Sequence, residues 1–136
     1  MVVKLCPNLM VSNFATSHRF YTEILGFGVA FMVDSNRNDT DNSHKAVFGL
    51  FVNDQAELML QDKQSLLEEL PVFGEQFDLK STSTIYLNGL DPEKVMVKLD
   101  KNSLIKGPFD QWYGMREVYF YDPDGYIICV GSQYST

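Results

Sequence analysis

Three scarcities narrow what this 136-residue chain can be. It has no run of about 18 apolar residues, so no segment reads as a membrane-spanning helix, and its start does not show the charge-then-apolar pattern of a secretory signal. It has only two cysteines, Cys6 and Cys129, too few for a disulfide framework. Positive charge is outweighed, 11 Lys and Arg against 18 Asp and Glu, for a net charge of -7. That balance argues against nucleic acid and against an anionic membrane as partners, and tilts only weakly toward a cationic ligand. The expectation is a soluble, cytoplasmic protein. No Gly-x-Ser-x-Gly elbow and no nucleotide-binding Gly-rich loop occurs, and neither histidine is placed by sequence to serve a cysteine as base.

A hydrophobic fraction of 45% is enough for a packed interior, in one domain or in two small half-domains. Val2 to Val11 reads as a strand, and Ser12-Asn13 offers an N-cap. Phe14, Ser17, Phe20, Tyr21, Ile24 and Leu25 form one helical stripe, ended by Gly26. Strands follow over Phe27 to Val33, Ala46 to Val52 and Glu57 to Gln61, with a polar and mobile Asn/Asp-rich loop expected from Asp34 to Lys45. In the connector, Ser65 and Glu68 have capping-box spacing and Pro71 stops the turn. Then the grammar repeats. Ser83 to Asn88 is a strand, Asp91-Pro92-Glu93 starts a helix, and Ser103 to Ile105 is a short strand. Val118 to Tyr121 and Tyr126 to Val130 form a terminal hairpin about the turn Asp122-Pro123-Asp124-Gly125.

The element order predicts an α+β fold of two βαβββ repeats, residues 1–62 and 81–136 joined by a connector at 63–80. Its curved mixed sheets would surround a cavity, enclosed within one chain or between two. Alternation assigns Pro7, Leu9, Val11, Leu58, Leu60, Ile85, Leu87, Ile128 and Val130 to the helix side. It assigns Cys6, Asn8, Met10, Glu57, Met59, Gln61, Thr84, Tyr86, Ile127 and Cys129 to the cavity side. Trp112-Tyr113-Gly114, in a loop after Pro108, is placed to cover a cavity mouth. Arg116 either points inward to hold an anionic group or pairs at the surface.

Pro7 to Val11, the stretch Ser17-His18-Arg19-Phe20-Tyr21-Thr22-Glu23-Ile24-Leu25-Gly26-Phe27, Glu57 to Gln61 and Asp122 to Tyr126 together resemble the vicinal oxygen chelate superfamily. That group holds glyoxalase I, bleomycin resistance proteins, fosfomycin resistance enzymes and extradiol dioxygenases. The resemblance implies a homodimer and, in catalytic members, one divalent metal held by strands one, four, five and eight. Carried onto this chain, those positions fall at Cys6, at Glu57 or Gln61, at Thr84 and at Cys129. No cavity-side position holds a histidine, and Cys129 stands where the terminal-strand carboxylate would be. The two cysteines are either small buried apolar residues, or a Zn or soft-metal site with Glu57, or a redox or reactive pair.

The expected function is therefore that of a bleomycin-resistance-type binding protein, without cofactor. It would sequester a small aromatic or amphipathic molecule among Asn8, Met10, Glu57, Met59, Gln61, Tyr86, Trp112 and Arg116. The alternative is a metal-dependent lyase or transferase of the glyoxalase type, with an altered ligand set and one divalent ion.

Overall fold

The computed structural model describes residues 2–74 and 78–134. The chain forms two units, Met1–Leu79 and Lys80–Thr136, each with its own four-stranded sheet. The first contains β1 (Asn8–Val11), α1 (Phe14–Arg19) running on as a π-helical turn over Phe20–Ile24, β2 (Gly28–Asp34), β3 (Ala46–Asn53), β4 (Ala56–Asp62), α2 (Lys63–Glu69) and a 3-10 turn at Pro71–Phe73. The second contains β5 (Thr84–Asn88), α3 (Pro92–Met96), a 3-10 turn at Lys101–Ser103, β6 (Leu104–Asp110), β7 (Met115–Tyr121) and β8 (Ile127–Gln133).

Both units share one topology. The first sheet runs β1-β4-β3-β2 and the second β5-β8-β7-β6, with the first-named pair parallel and the others antiparallel. Two such mixed sheets with few helices are the α+β fold of two repeats that the element order predicts.

Local chemistry explains the element starts. Asn13 accepts from the Thr16 amide at 3.0 Å, and Asp91 accepts from the Glu93 amide at 3.0 Å with Pro92 in the first helical position. In the terminal hairpin, Asp122 accepts from the amides of Asp124 and Tyr126, both at 2.9 Å, while Gly125 takes φ +88. A side chain there would be strained.

Each sheet has one face sealed by its helix. In the first unit Val11, Leu58, Leu60 and Phe51 are buried with Phe14 and Tyr21, and the Phe14 and Phe51 rings lie 6.1 Å apart. In the second, Val118, Phe120, Ile128 and Val130 are buried, as is Val95 of α3. The opposite face of each sheet, here the open face, carries the polar and aromatic side chains.

Several elements differ in extent or build from expectation, for local reasons. The first strand covers only Asn8–Val11, and Val2, Val3 and Leu5 are exposed before it. Helix α2 is capped by Asp62, not Ser65: Asp62 accepts from the amides of Gln64 at 3.1 Å and Ser65 at 3.5 Å. A good cap at the end of β4 starts the helix three residues earlier. Strand β6 is seven residues long, because as the edge strand it tolerates a cis Gly107–Pro108 bond in its middle. The loop after β2 is built from Asx turns: Asp34 accepts from the amides of Asn36 at 2.8 Å and Asn38 at 3.0 Å, and Asn42 from that of His44 at 2.9 Å.

Leu60 is 0% exposed, so truncating it leaves a void the surrounding strands cannot fill. Leu60→Ala is expected to cost about 2–5 kcal/mol in urea denaturation, and an unchanged midpoint contradicts this packing.

Candidate functional site

The open face of the first sheet bears a cavity of about 920 Å³. Its floor comes from Asn8 of β1, Met59 and Gln61 of β4, and Phe48 of β3; one wall is the Asp34–Arg37 turn and the other is α2, with Gln64, Ser65, Glu68 and Glu69. Register explains the grouping, since Asn8 is opposite Met59, and Gln61 is opposite both Met10 and Phe48.

Gln61 fixes this floor. It is 4% exposed, and both ends of its amide are engaged. Its Oε1 accepts from Asn8 Nδ2 at 2.9 Å, and its Nε2 donates to Ser65 Oγ at 3.1 Å and to Glu69 Oε2 at 2.9 Å. A buried amide left unpaired would cost about 1–3 kcal/mol, so the three bonds hold a strand, a helix and the floor in one arrangement. Four carboxylates (Asp34, Asp62, Glu68, Glu69) and one guanidinium (Arg37) line the cavity, which is therefore acidic on balance.

The open face of the second sheet is organised by Glu117 of β7. This carboxylate is 0% exposed. Its Oε2 accepts from Tyr86 Oη of β5 at 2.6 Å and from Tyr113 Oη at 2.7 Å, and its Oε1 accepts from Gln111 Nε2 at 3.1 Å. Burial is the largest influence on its titration and works to raise it, but the three donors and the charge of Lys106 outweigh burial and hold it below the ordinary 4.5. The same bonds act inversely on the phenols. Burial and the bond to Glu117 push Tyr86 up, and the bond to Glu117, with burial, pushes Tyr113 up to about 12.

Gly131 makes the arrangement fit. A Cβ there would run into Tyr86 Oη and come within 3.2 Å of Glu117 Cγ. Cys129 lies beside Tyr86 and Tyr119 in the register. Burial, with the Glu117 charge, raises its thiol to about 11, against the pull of the Tyr119 hydroxyl. It stays a protonated thiol at neutral pH, which does not suit a nucleophile.

The expected site residues thus divide. Asn8, Met59 and Gln61 come together in the first cavity. Met10 and Glu57 share their face, but Met10 is buried and Glu57 is bridged by Lys4 at 3.5 Å. Tyr86 meets Glu117, and Trp112 lies edge-on to Tyr113 with ring centroids 5.3 Å apart. Arg116 is not on the open face. It shares the helix face with Val118 and bonds to Asp110 at 2.7 Å and to Glu93 of α3 at 3.1 Å, so the surface-pairing alternative describes it. Neither histidine belongs to the site; His18 packs edge-on to Phe51 at 5.8 Å, where burial lowers its pKa against the pull of Glu23. Glu117, Gln111, Arg37 and Glu69 join these faces without having been singled out in the sequence. Counting by twos from Val118 would have placed Glu117 on the open face.

Twin βαβββ sheets, each sealed by helix on one face and bearing a fixed polar cluster on the other, define the structural class. A family model described as the Glyoxalase/Bleomycin resistance protein/Dioxygenase superfamily matches residues 5–130, and the chain belongs to that superfamily. Among solved structures it is similar to a glyoxalase-related enzyme from Fulvimarina pelagi (TM-score 0.72, 19% identity, covering 97% of this chain and 89% of that one). It is also similar to a protein of unknown function from Agrobacterium tumefaciens (0.69, 23%, 98% and 94%). A third is TnmS3, an antibiotic binding protein from Streptomyces sp. CB03234 (0.62, 20%, 98% and 98%). At these identities the likeness speaks for the fold. No curated protein matches the chain.

The residues at the positions where catalytic relatives would hold a metal do not fit one. Among the described residues no three His, Cys, Asp or Glu side chains stand close enough to share an ion. The Gln61 amide is committed to three partners.

Because the folded-state pKa of Glu117 is depressed, its ionised form contributes stability above the unfolded value, and this is lost as pH falls through the folded value. Glu117→Gln is therefore expected to cost roughly 1–3 kcal/mol at neutral pH. The gap to the parent protein in urea denaturation should shrink below about pH 4.5. A gap that stays constant into acid would contradict an ionised Glu117.

Proposed function

We propose that the protein binds an amphipathic organic cation in the cavity of its first unit and acts by holding it, without a resident metal. The observation that carries this reading is the pinned Gln61 floor beneath an acid-rich cavity of about 920 Å³. That volume is in the range of pockets for drug-sized ligands. Val33, Phe48 and Met59 supply apolar surface, Asn8 and Gln61 orient polar groups, and the excess of carboxylates favours positive charge. The two titratable types best suited to chemistry at neutral pH, imidazole and thiolate, are not offered by this lining. TnmS3, described as an antibiotic binding protein, lends support by fold analogy.

The test is fluorescence anisotropy with rhodamine 6G, an amphipathic cation, against fluorescein, an anion with a related ring system. Saturable binding of rhodamine 6G is expected, with fluorescein weaker by at least about tenfold. Glu69→Gln keeps the shape of the wall but removes a charge, and should weaken rhodamine 6G by roughly tenfold. Equal binding of the two dyes, or no effect of Glu69→Gln, would overturn the reading.

A further inference from the structure

The second sheet buries an ionised group that has no counter-ion in contact. Glu117 is 0% exposed, yet the ion pairs among the described residues join Lys4 to Glu57 and Arg116 to Asp110 and Glu93. Taking a carboxylate out of water costs several kcal/mol and is normally offset by a cation at short range. Here three neutral donors carry it: Tyr86, Tyr113 and Gln111.

Two of those donors belong to partly exposed residues, Tyr86 at 43% exposure and Tyr113 at 48%. A phenol that donates to a carboxylate gains electron density on its oxygen, so its remaining lone pairs accept more strongly. Both phenols donate to the same atom, Oε2, at 2.6 and 2.7 Å, so the two phenol oxygens converge on one carboxylate oxygen. Trp112 stands next to Tyr113 at 91% exposure with the two rings at 87°. An exposed indole beside a charged, donor-hungry pair is a surface that a flat cation would cover.

We propose that the Glu117–Tyr86–Tyr113 cluster, flanked by Trp112, is a binding site for an organic cation with paired N–H donors on a flat apolar frame, of the amidinium or aryl-guanidinium kind. The two donors of such a group match the two phenol oxygens, and its charge supplies the missing counter-ion. Its frame stacks on the exposed rings. Lys106 is the competing cation on this strand pair, but its Nζ lies over the Phe109 ring at 4.5 Å and its side chain is exposed, so water screens it. The remaining titratable groups of the cluster, Cys129 and Tyr119, are neutral. This site shares no residue with the first-unit cavity and does not rest on the function proposed for it.

Trp112 is the sole tryptophan, so its emission reports occupancy directly. The full-length protein is titrated at neutral pH with benzamidine, benzamide and benzoate, which keep the ring and change the charge from positive to neutral to negative. The expected result is a saturable change of Trp112 emission with benzamidine, at a concentration at least about tenfold lower than for benzamide, and none with benzoate. Glu117→Gln and Tyr113→Phe should each weaken benzamidine by at least about tenfold. Tyr113→Phe removes only the hydroxyl of a half-exposed residue, so it decides the matter should Glu117→Gln fail to fold. Equal responses to the three probes, a preference for benzoate, or benzamidine affinity unchanged in Tyr113→Phe would each overturn the proposal.

Discussion

Everything in this molecule depends on the two-residue alternation of its strands. Each unit has four strands and one crossover helix, so only one face of each sheet can be sealed in apolar contact. Val11, Leu58, Leu60 and Phe51 take that face in the first unit, and Val118, Phe120, Ile128 and Val130 in the second. The alternate residues are then forced to the other face together, whatever their chemistry.

What distinguishes those open faces is that each contains a buried polar side chain on a central strand, satisfied by neighbours and not by water. Gln61 is tied to Asn8, Ser65 and Glu69, and Glu117 to Tyr86, Tyr113 and Gln111. Unsatisfied, either would destabilise the fold; satisfied, each fixes the position of groups that meet solvent. The two clusters differ in kind. The first is a neutral amide under an acid-lined hollow, and the second is a buried negative charge projected outward through two phenols. Both are negative on balance, in keeping with a net charge of -7.

The parts of this arrangement that were readable from the residues are those set by local rules. The two repeats, the Asp122–Gly125 turn, the Asp91-Pro92 helix start and the facing of Asn8, Met59, Gln61 and Tyr86 all follow from period, caps and turn chemistry. The misplacement of Arg116 has an equally local cause. β7 runs from Met115, and its alternation puts Arg116 with Val118 on the helix face and Glu117 with Tyr119 on the open face. Gly107-Pro108 hid the length of β6 because its tolerance depends on the strand being at an edge. Arg37, Glu68 and Glu69 join the first cavity only because a loop and a helix return over the sheet, and no short-range pattern encodes that return.

The central claim is that ligand recognition belongs to the open faces. A two-dimensional amide NMR map of the protein titrated with rhodamine 6G tests it most directly. The account predicts shifts concentrated at Asn8, Met59, Gln61, Arg37 and the α2 residues Ser65 to Glu69. Shifts concentrated on the helix side, at Val11, Leu58 and the residues of α1, or spread evenly over the chain, would contradict it.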